Sequence, residues 1–210
     1  MDNNILFSIK KAMKEEIEAV EAVYEELDES YERAVNLIYK CKGKVIFTGI
    51  GKSGHIGKKL AATFASTGTS SFFVHSTEAL HGDLGMISPE DIVIAISNSG
   101  ETKEVLSIIP SIKYIGSTII SLTGNRESTL AKQSDVALEV KVLHEADPLN
   151  LAPTSSSTVV LVIGDALAIT LSQLKGFKKE NFAVVHPGGS LGKQLFQERV
   201  KLQGKEKKYA

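Results

Sequence analysis

The sequence predicts an α/β fold, a doubly wound five-stranded parallel sheet flanked by helices. Three observations carry that expectation. From Lys44 onward, short apolar runs alternate with helical patterns, the order that strand–helix–strand units require. Several runs are continuous in Val, Ile and Phe, as in strands covered on both faces. Two loops, Gly49-Ile50-Gly51-Lys52-Ser53-Gly54 and Ser97-Asn98-Ser99-Gly100-Glu101-Thr102, each follow an apolar run and open a helical pattern. Loops of that kind sit at the carboxyl edge of a parallel sheet, where ligands bind.

The elements follow in order. Leu6, Ile9, Met13, Ile17, Val20, Val23 and Leu27 recur at three- and four-residue spacing and predict an amphipathic helix with a Glu-rich outer face. A second helix follows Ser30, with Ala34, Leu37 and Ile38 on one side. Together they form an N-terminal helical arm over residues 1–42. The α/β domain is expected over 43–196, with strands at Lys44–Thr48, Ser71–His75, Asp91–Ser97, Thr118–Leu122 and Val136–Val142. Helices are expected at Gly54–Ser66, Lys103–Ile115 and Glu127–Gln133, with a short one near Glu78. The last helix, Ser156–Leu174, is apolar on nearly every side, so it belongs in a core or between subunits. A domain of this size can hardly cover it alone, which predicts a homo-oligomer. Residues 197–210 form a charged tail whose basic cluster, Lys201 to Lys208, reads as solvated.

Composition narrows the class. Hydrophobic residues make up 42% of the 210 and charged residues 23%, enough apolar material for a core. A net charge of −1 shows no bias toward nucleic acid or an anionic membrane. One cysteine, Cys41, excludes an intrachain disulfide and a cysteine-rich metal site. The N-terminus lacks the pattern of a signal peptide, and the longest apolar stretch, Val159 to Leu171, is broken by Gly164 and Asp165. A cytoplasmic protein with no membrane association is the expectation.

The glycine loop formally matches a dinucleotide fingerprint, but His75-Ser76 stands where the ribose-binding acid belongs. It fails the Walker A pattern because Ile46 occupies the position of the first glycine. The second loop brings the hydroxyls of Ser97, Ser99 and Thr102 within six residues, ahead of a helix beginning near Glu101. Ser99 or Thr102 as a helix cap is the plain structural reading. A phosphate bound between the two loops is the functional one, because its oxygens each need donors and helix N-termini supply them.

The runs GIGKSGHIGKKLAATFASTGTSSFFVH, EALHGDLGMIS, AISNSGETKE, LAPTSSSTVVLVIGDALA and HPGGSLGK resemble the sugar-isomerase (SIS) domain of arabinose 5-phosphate isomerases, in order over about Cys41 to Leu195. The resemblance implies the SIS fold and interconversion of D-ribulose 5-phosphate and D-arabinose 5-phosphate, which feeds synthesis of the eight-carbon sugar Kdo for lipopolysaccharide or capsule. It implies no cofactor, a sugar-phosphate substrate, a homotetramer, and a nucleotide sugar as candidate end-product inhibitor. Many relatives continue into two CBS domains, whereas here the charged tail follows. Ser76-Thr77 stands where relatives commonly show Pro-Gly, and His144-Glu145-Ala146-Asp147-Pro148 where they more often show Lys-Glu-Ala-Cys-Pro.

Aldose–ketose isomerisation moves a proton between C1 and C2 through an enediolate. It needs a base, a group that shuttles protons between oxygens, and a cation for the developing charge. The family's catalytic set falls on Lys52, Glu104, Glu145 and His186. Lys52 would hold the phosphate or the enediolate. Glu104 and Glu145 compete for the base, which needs a pKa raised by burial or by a neighbouring carboxylate. Glu101, three residues before Glu104 on the same helix side, reads as a first-turn carboxylate favoured by the helix dipole. His186, before Pro187-Gly188-Gly189, would open the ring or shuttle protons, in its own subunit or an adjacent one. Gly51, Ser53, Ser97, Ser99 and Thr102 are expected to bind substrate. His81, in His81-Gly82-Asp83, is assigned to substrate because the ligand count is short for zinc. Ser155, Ser156 and Ser157 are expected to cap the long helix, with Ser155 placed at the sugar. A different sugar phosphate is the alternative substrate. A non-catalytic sugar-phosphate sensor is the alternative class, disfavoured by the acidic arm, which would repel DNA.

Overall fold

Residues 5–189 and 192–194 are described by the computed structural model. The charged tail and the domain end expected at 196 lie outside them. Five parallel strands, β1 (Val45–Gly49), β2 (Ser71–His75), β3 (Ile92–Ile96), β4 (Thr118–Thr123) and β5 (Val136–Glu139), form one sheet in the order β2-β1-β3-β4-β5. Strand β1 sits between two partners, Val45 facing both Ser71 and Ile92. The chain steps from β1 outward to β2, then crosses back to β3 and continues through β4 to β5. Its direction of winding therefore reverses between β1 and β3, and that crevice is where such sheets bind ligands.

Both faces of the sheet are covered, which is why the strands read as continuous apolar runs. Phe47, Ile94, Ile96, Ile120 and Leu122 point to one face and pack with α3 (Gly51–Ser66), α7 (Ser155–Leu174) and α2 (Glu29–Lys40). Ile46, Val93, Ala95 and Ile119 point to the other, against α4 (Ser76–Ala79), α5 (Lys103–Ile115) and α6 (Thr129–Gln133). Each aliphatic side chain removed from water contributes about 1.5–3 kcal/mol. Phe47 and Phe64 meet edge to face at 5.0 Å between ring centroids. Helix α5 ends at Gly116, whose φ of 93° supplies the left-handed stop.

Helix α7 has the length and hydropathy of a bilayer span. Here it packs on α3, α2 and α1 (Ile5–Glu25). Gly164 allows close approach to α3: a Cβ there would lie 2.4 Å from the Leu60 methyls. The outer side of α7 still exposes Val162 and Ile169. Helix α1 leaves most of its apolar stripe uncovered within the chain. Val23 is buried and Val20 packs on the core, but Leu6, Ile9, Met13, Ile17 and Leu27 are exposed. The helix lies on α7 by a narrow strip, so its outer face is apolar as well as acidic.

Two boundaries also differ from expectation. Helix α3 begins at Gly51 rather than Gly54, and β5 ends at Glu139 rather than Val142. A last helix, α8 (Lys179–Val185), has no buried residue.

Candidate functional site

Both small-residue loops leave the sheet at the β1/β3 reversal. Strand β1 turns into α3 through Gly51, whose φ of 55° favours glycine. Gly49 and Gly54 let the turn lie flat on the sheet: a Cβ on Gly49 would sit 3.1 Å from the Ile96 carbonyl, and one on Gly54 3.1 Å from the Gly49 carbonyl. The residue at the N-cap of α3 is Ile50, which has no capping side chain. Helix α5 starts in the same state. Thr102 holds its N-cap position without a capping hydrogen bond, because its hydroxyl pairs with Ser97 Oγ at 2.8 Å. The expected cap by Ser99 or Thr102 is therefore absent. Ser99 Oγ instead accepts from the Glu101 N–H at 3.2 Å. Two helix N-termini at the carboxyl ends of β1 and β3 thus present N–H groups with no capping side chain, the kind of helix end that binds an anion.

The hydroxyl loop is held from behind by the connection between β4 and α6. The Asn98 carbonyl accepts from the Gly124 N–H at 2.8 Å and from Thr123 Oγ1 at 3.3 Å. The Gly100 carbonyl accepts from the Leu130 N–H at 3.0 Å. Ser97 is buried, its Oγ accepting from the Gly100 N–H at 3.1 Å. Glu101 does not lie on α5 as the three-residue spacing suggested. It precedes the helix and turns to α6, where its carboxylate accepts from the Thr129 N–H at 2.7 Å.

Glu145 is placed by the start of α7. Its carboxylate accepts from the N–H of Thr154 at 2.8 Å, the N–H of Ser156 at 3.1 Å, and the hydroxyls of both. Burial pushes its pKa up, but these four hydrogen bonds outweigh burial and hold it below the usual carboxylate value. The raised pKa expected of a working base is reversed here. The cap expected from the serines is supplied by Glu145: Ser156 donates to it, Ser157 Oγ donates to the Pro153 and Thr154 carbonyls, and the buried Ser155 hydroxyl has no partner among the described residues.

Lys52 and Ser53 line a crevice of about 40 Å³ with Asn98, Pro153, Ser156 and Ser157. The structure thereby brings the glycine loop, the hydroxyl loop and the start of α7 together, with Glu145 one hydrogen bond away through Ser156. Lys52 is exposed, and neither its ammonium nor the half-buried Glu104 carboxylate has a hydrogen-bond or ion-pair partner among the described residues. Asn98 and Ser156 were not singled out for the site. Asn98 sits inside the quoted loop but carries no hydroxyl, and only folding sets the Ser156 side of α7 toward the crevice.

His81 is exposed in the turn between α4 and the 3₁₀ segment Asp83–Met86. His186 does not line the crevice. It ends α8, its ring stacked on Phe182 at 3.8 Å and its Nδ1 3.0 Å from the Phe182 carbonyl. Ser76, at the site of one family departure, is buried and pairs through Oγ with Thr48 Oγ1 at 2.9 Å.

Residues 37–170 match the SIS domain family model. The chain belongs to the SIS-domain family. Two curated SIS relatives are arabinose 5-phosphate isomerases named KdsD. That of Pseudomonas aeruginosa is 52% identical over 197 residues, covering 93% of this chain and 60% of its own length. That of Escherichia coli is 53% identical over 193 residues, covering 90% and 59%. The chain therefore spans about three-fifths of the length of the curated relatives it matches. An Escherichia coli SIS protein solved in complex with arabinose 5-phosphate superposes with a TM-score of 0.87 at 52% identity, covering 89% of this chain and 100% of that one.

Proposed function

We propose that this SIS domain interconverts D-ribulose 5-phosphate and D-arabinose 5-phosphate through an enediolate. The observation that carries the reading is the pair of helix N-termini without capping side chains at the carboxyl ends of β1 and β3, beside a crevice that Lys52, Ser53 and Asn98 line. Such a site takes a dianionic monophosphate. The relatives' names and the sugar phosphate in the superposed structure direct the choice to a pentose 5-phosphate.

Phosphate bound there leaves the sugar carbons over the starts of α5 and α7. Glu104, in the first turn of α5, is the better base of the two carboxylates because its lone pairs are free to accept a proton. Glu145 spends its own on four donors. In the aldose-to-ketose direction Glu104 takes the C2 proton and returns it to C1, while a proton passes from the C2 oxygen to the C1 oxygen. Lys52 stabilises the enediolate charge. His186 opens the furanose form and, standing at the end of a helix with no buried residue, does so in an adjacent subunit of a homotetramer. Gly51, Ser53, Ser97, Ser155 and His81 complete the substrate-binding set. The product enters Kdo synthesis, and a nucleotide sugar from the end of that pathway is a candidate inhibitor of the same crevice.

A panel of pentose and hexose phosphates, assayed in both directions with and without EDTA, tests the assignment. Arabinose 5-phosphate should be turned over fastest, with solvent deuterium entering C2 of the aldose. Tight binding of a sugar phosphate without turnover of any would make the chain a sensor instead. Replacing Ser99 and Thr102 by Ala should weaken binding by about 0.5–1.5 kcal/mol for each neutral hydrogen bond lost.

A further inference from the structure

Glu101 lies between the hydroxyl loop and α5 and has no role in the chemistry above. Its surroundings give it one. The loop it closes is Ser-Asn-Ser-Gly, a sequence with many accessible backbone states, so its shape must be fixed from outside. Beside the Thr123 hydroxyl on the Asn98 carbonyl, three contacts from the β4–α6 connection and the start of α6 fix it. The Asn98 carbonyl is held by Gly124, the Gly100 carbonyl by Leu130, and the Glu101 carboxylate by the N–H of Thr129. The third governs the end of the loop that passes into the first turn of α5. There the Glu101 N–H also sets Ser99 Oγ. Gly100 leaves no slack, since its φ is 67° and a Cβ would lie 2.1 Å from Ser128 Oγ.

A carboxylate beside a phosphate site would ordinarily repel the ligand. This one directs its charge into the start of α6, and its pKa is held below the usual carboxylate value by the hydrogen bonds from Thr129. We infer that Glu101 is a positioning residue for substrate phosphate: bonded to Thr129, it holds the 97–102 loop in its anion-binding shape. The inference rests on the sugar-phosphate reading and adds a residue that never touches the substrate. Preorganisation of this kind acts on affinity more than on the chemical step.

The test uses Glu101→Ala, Glu101→Gln and Thr129→Pro in the full chain, with kcat, KM, calorimetric binding of arabinose 5-phosphate, and competitive inhibition by inorganic phosphate. Proline is suited to position 129, the first residue of α6, and Ser128 before it is already extended at ψ 158°. It deletes the N–H while Glu101 stays. Glu101→Ala should raise KM, the sugar-phosphate dissociation constant and the phosphate inhibition constant together by about tenfold, the loss of one charge-assisted hydrogen bond. Its kcat should stay within about threefold. Glu101→Gln keeps an acceptor oxygen and should recover most of the affinity. Thr129→Pro should match Glu101→Ala, and the double variant should lose no more than either alone. Unchanged affinity in Glu101→Ala and Thr129→Pro, or a fall in kcat at constant KM, overturns the inference. If Glu101→Ala does not fold, by circular dichroism, Thr129→Pro decides alone. Wild-type protein that binds no sugar phosphate removes the underlying reading as well. Wild-type binding with indifferent variants removes only the role of Glu101.

Discussion

Glu104 and Glu145 stand at the same edge of the sheet, and hydrogen bonding separates them. Glu104→Gln keeps the shape of the side chain and removes its basicity, so turnover should fall by ~10²–10⁴-fold with little change in KM. Glu145→Gln should act on stability and on the placing of α7. The sign of its pH dependence follows from its lowered pKa. The carboxylate stabilises the fold fully above its unfolded value near 4.5 and loses that contribution as pH falls through the lower folded value. Denaturant titrations between pH 6 and 3 should therefore show the gap between wild type and Glu145→Gln closing in acid. Near-normal turnover in both Gln variants would leave neither as the base. The position of Glu145 past the fifth strand was legible in the chain. Its partners were not, because Thr154 and Ser156 meet it only when the 144–154 segment folds back onto the start of α7.

At the scale of elements, the clearest cap belongs to α2. Asp28 accepts from the N–H and the hydroxyl of Ser30 and pairs with Arg126. The Ser30 hydroxyl first, then Arg126, hold its pKa down to about 2. Asp28→Ala should cost about 1 kcal/mol of stability at neutral pH, the usual worth of a helix cap. That difference should shrink as pH falls from 3.8 toward about 2, where the native carboxyl protonates. Gly100→Ala should be far more damaging than an exposed glycine replacement such as Gly188→Ala. It combines a left-handed backbone with a Cβ driven into Ser128, an overpacking worth about 1–3 kcal/mol. Melting curves of the two variants would show the contrast. Strand and helix types could be read from periodicity, because the inner strands β1, β3 and β4 are buried on both faces and every long helix carries an apolar stripe. Helix α5 spans Lys103–Ile115 as the periodicity predicts, but the placing of Glu101 on it fails, because Glu101 looks like a first-turn residue until α6 is there to receive it. The apolar stripe of α1 is legible in its spacing; that α7 covers only its Val20 and Val23 end is not, because the spacing does not say where α7 lies.

At the scale of the molecule, the exposed apolar strip of α1 and the outer side of α7, with Val162 and Ile169, ask for cover by other copies of the chain. Sedimentation should give a tetramer. Mixing His186→Ala with Glu104→Gln, each inactive alone, should recover activity after subunit exchange if His186 completes a neighbour's site. No recovery under proven exchange would keep His186 within its own subunit.

The packing of α1 on α7 sets a timetable for synthesis. Helix α1 leaves the ribosome well before α7, against which it packs, so Ile5–Glu25 lacks its main docking surface until residues through about Leu174 have emerged. The sheet can pair strand by strand before then, but the face that α2 and α3 share with α7 stays partly uncovered until α7 arrives. A nascent chain halted at about residue 150 should therefore carry a protease-sensitive α1 and a partly uncovered sheet face, the kind of surface that holding chaperones recognise.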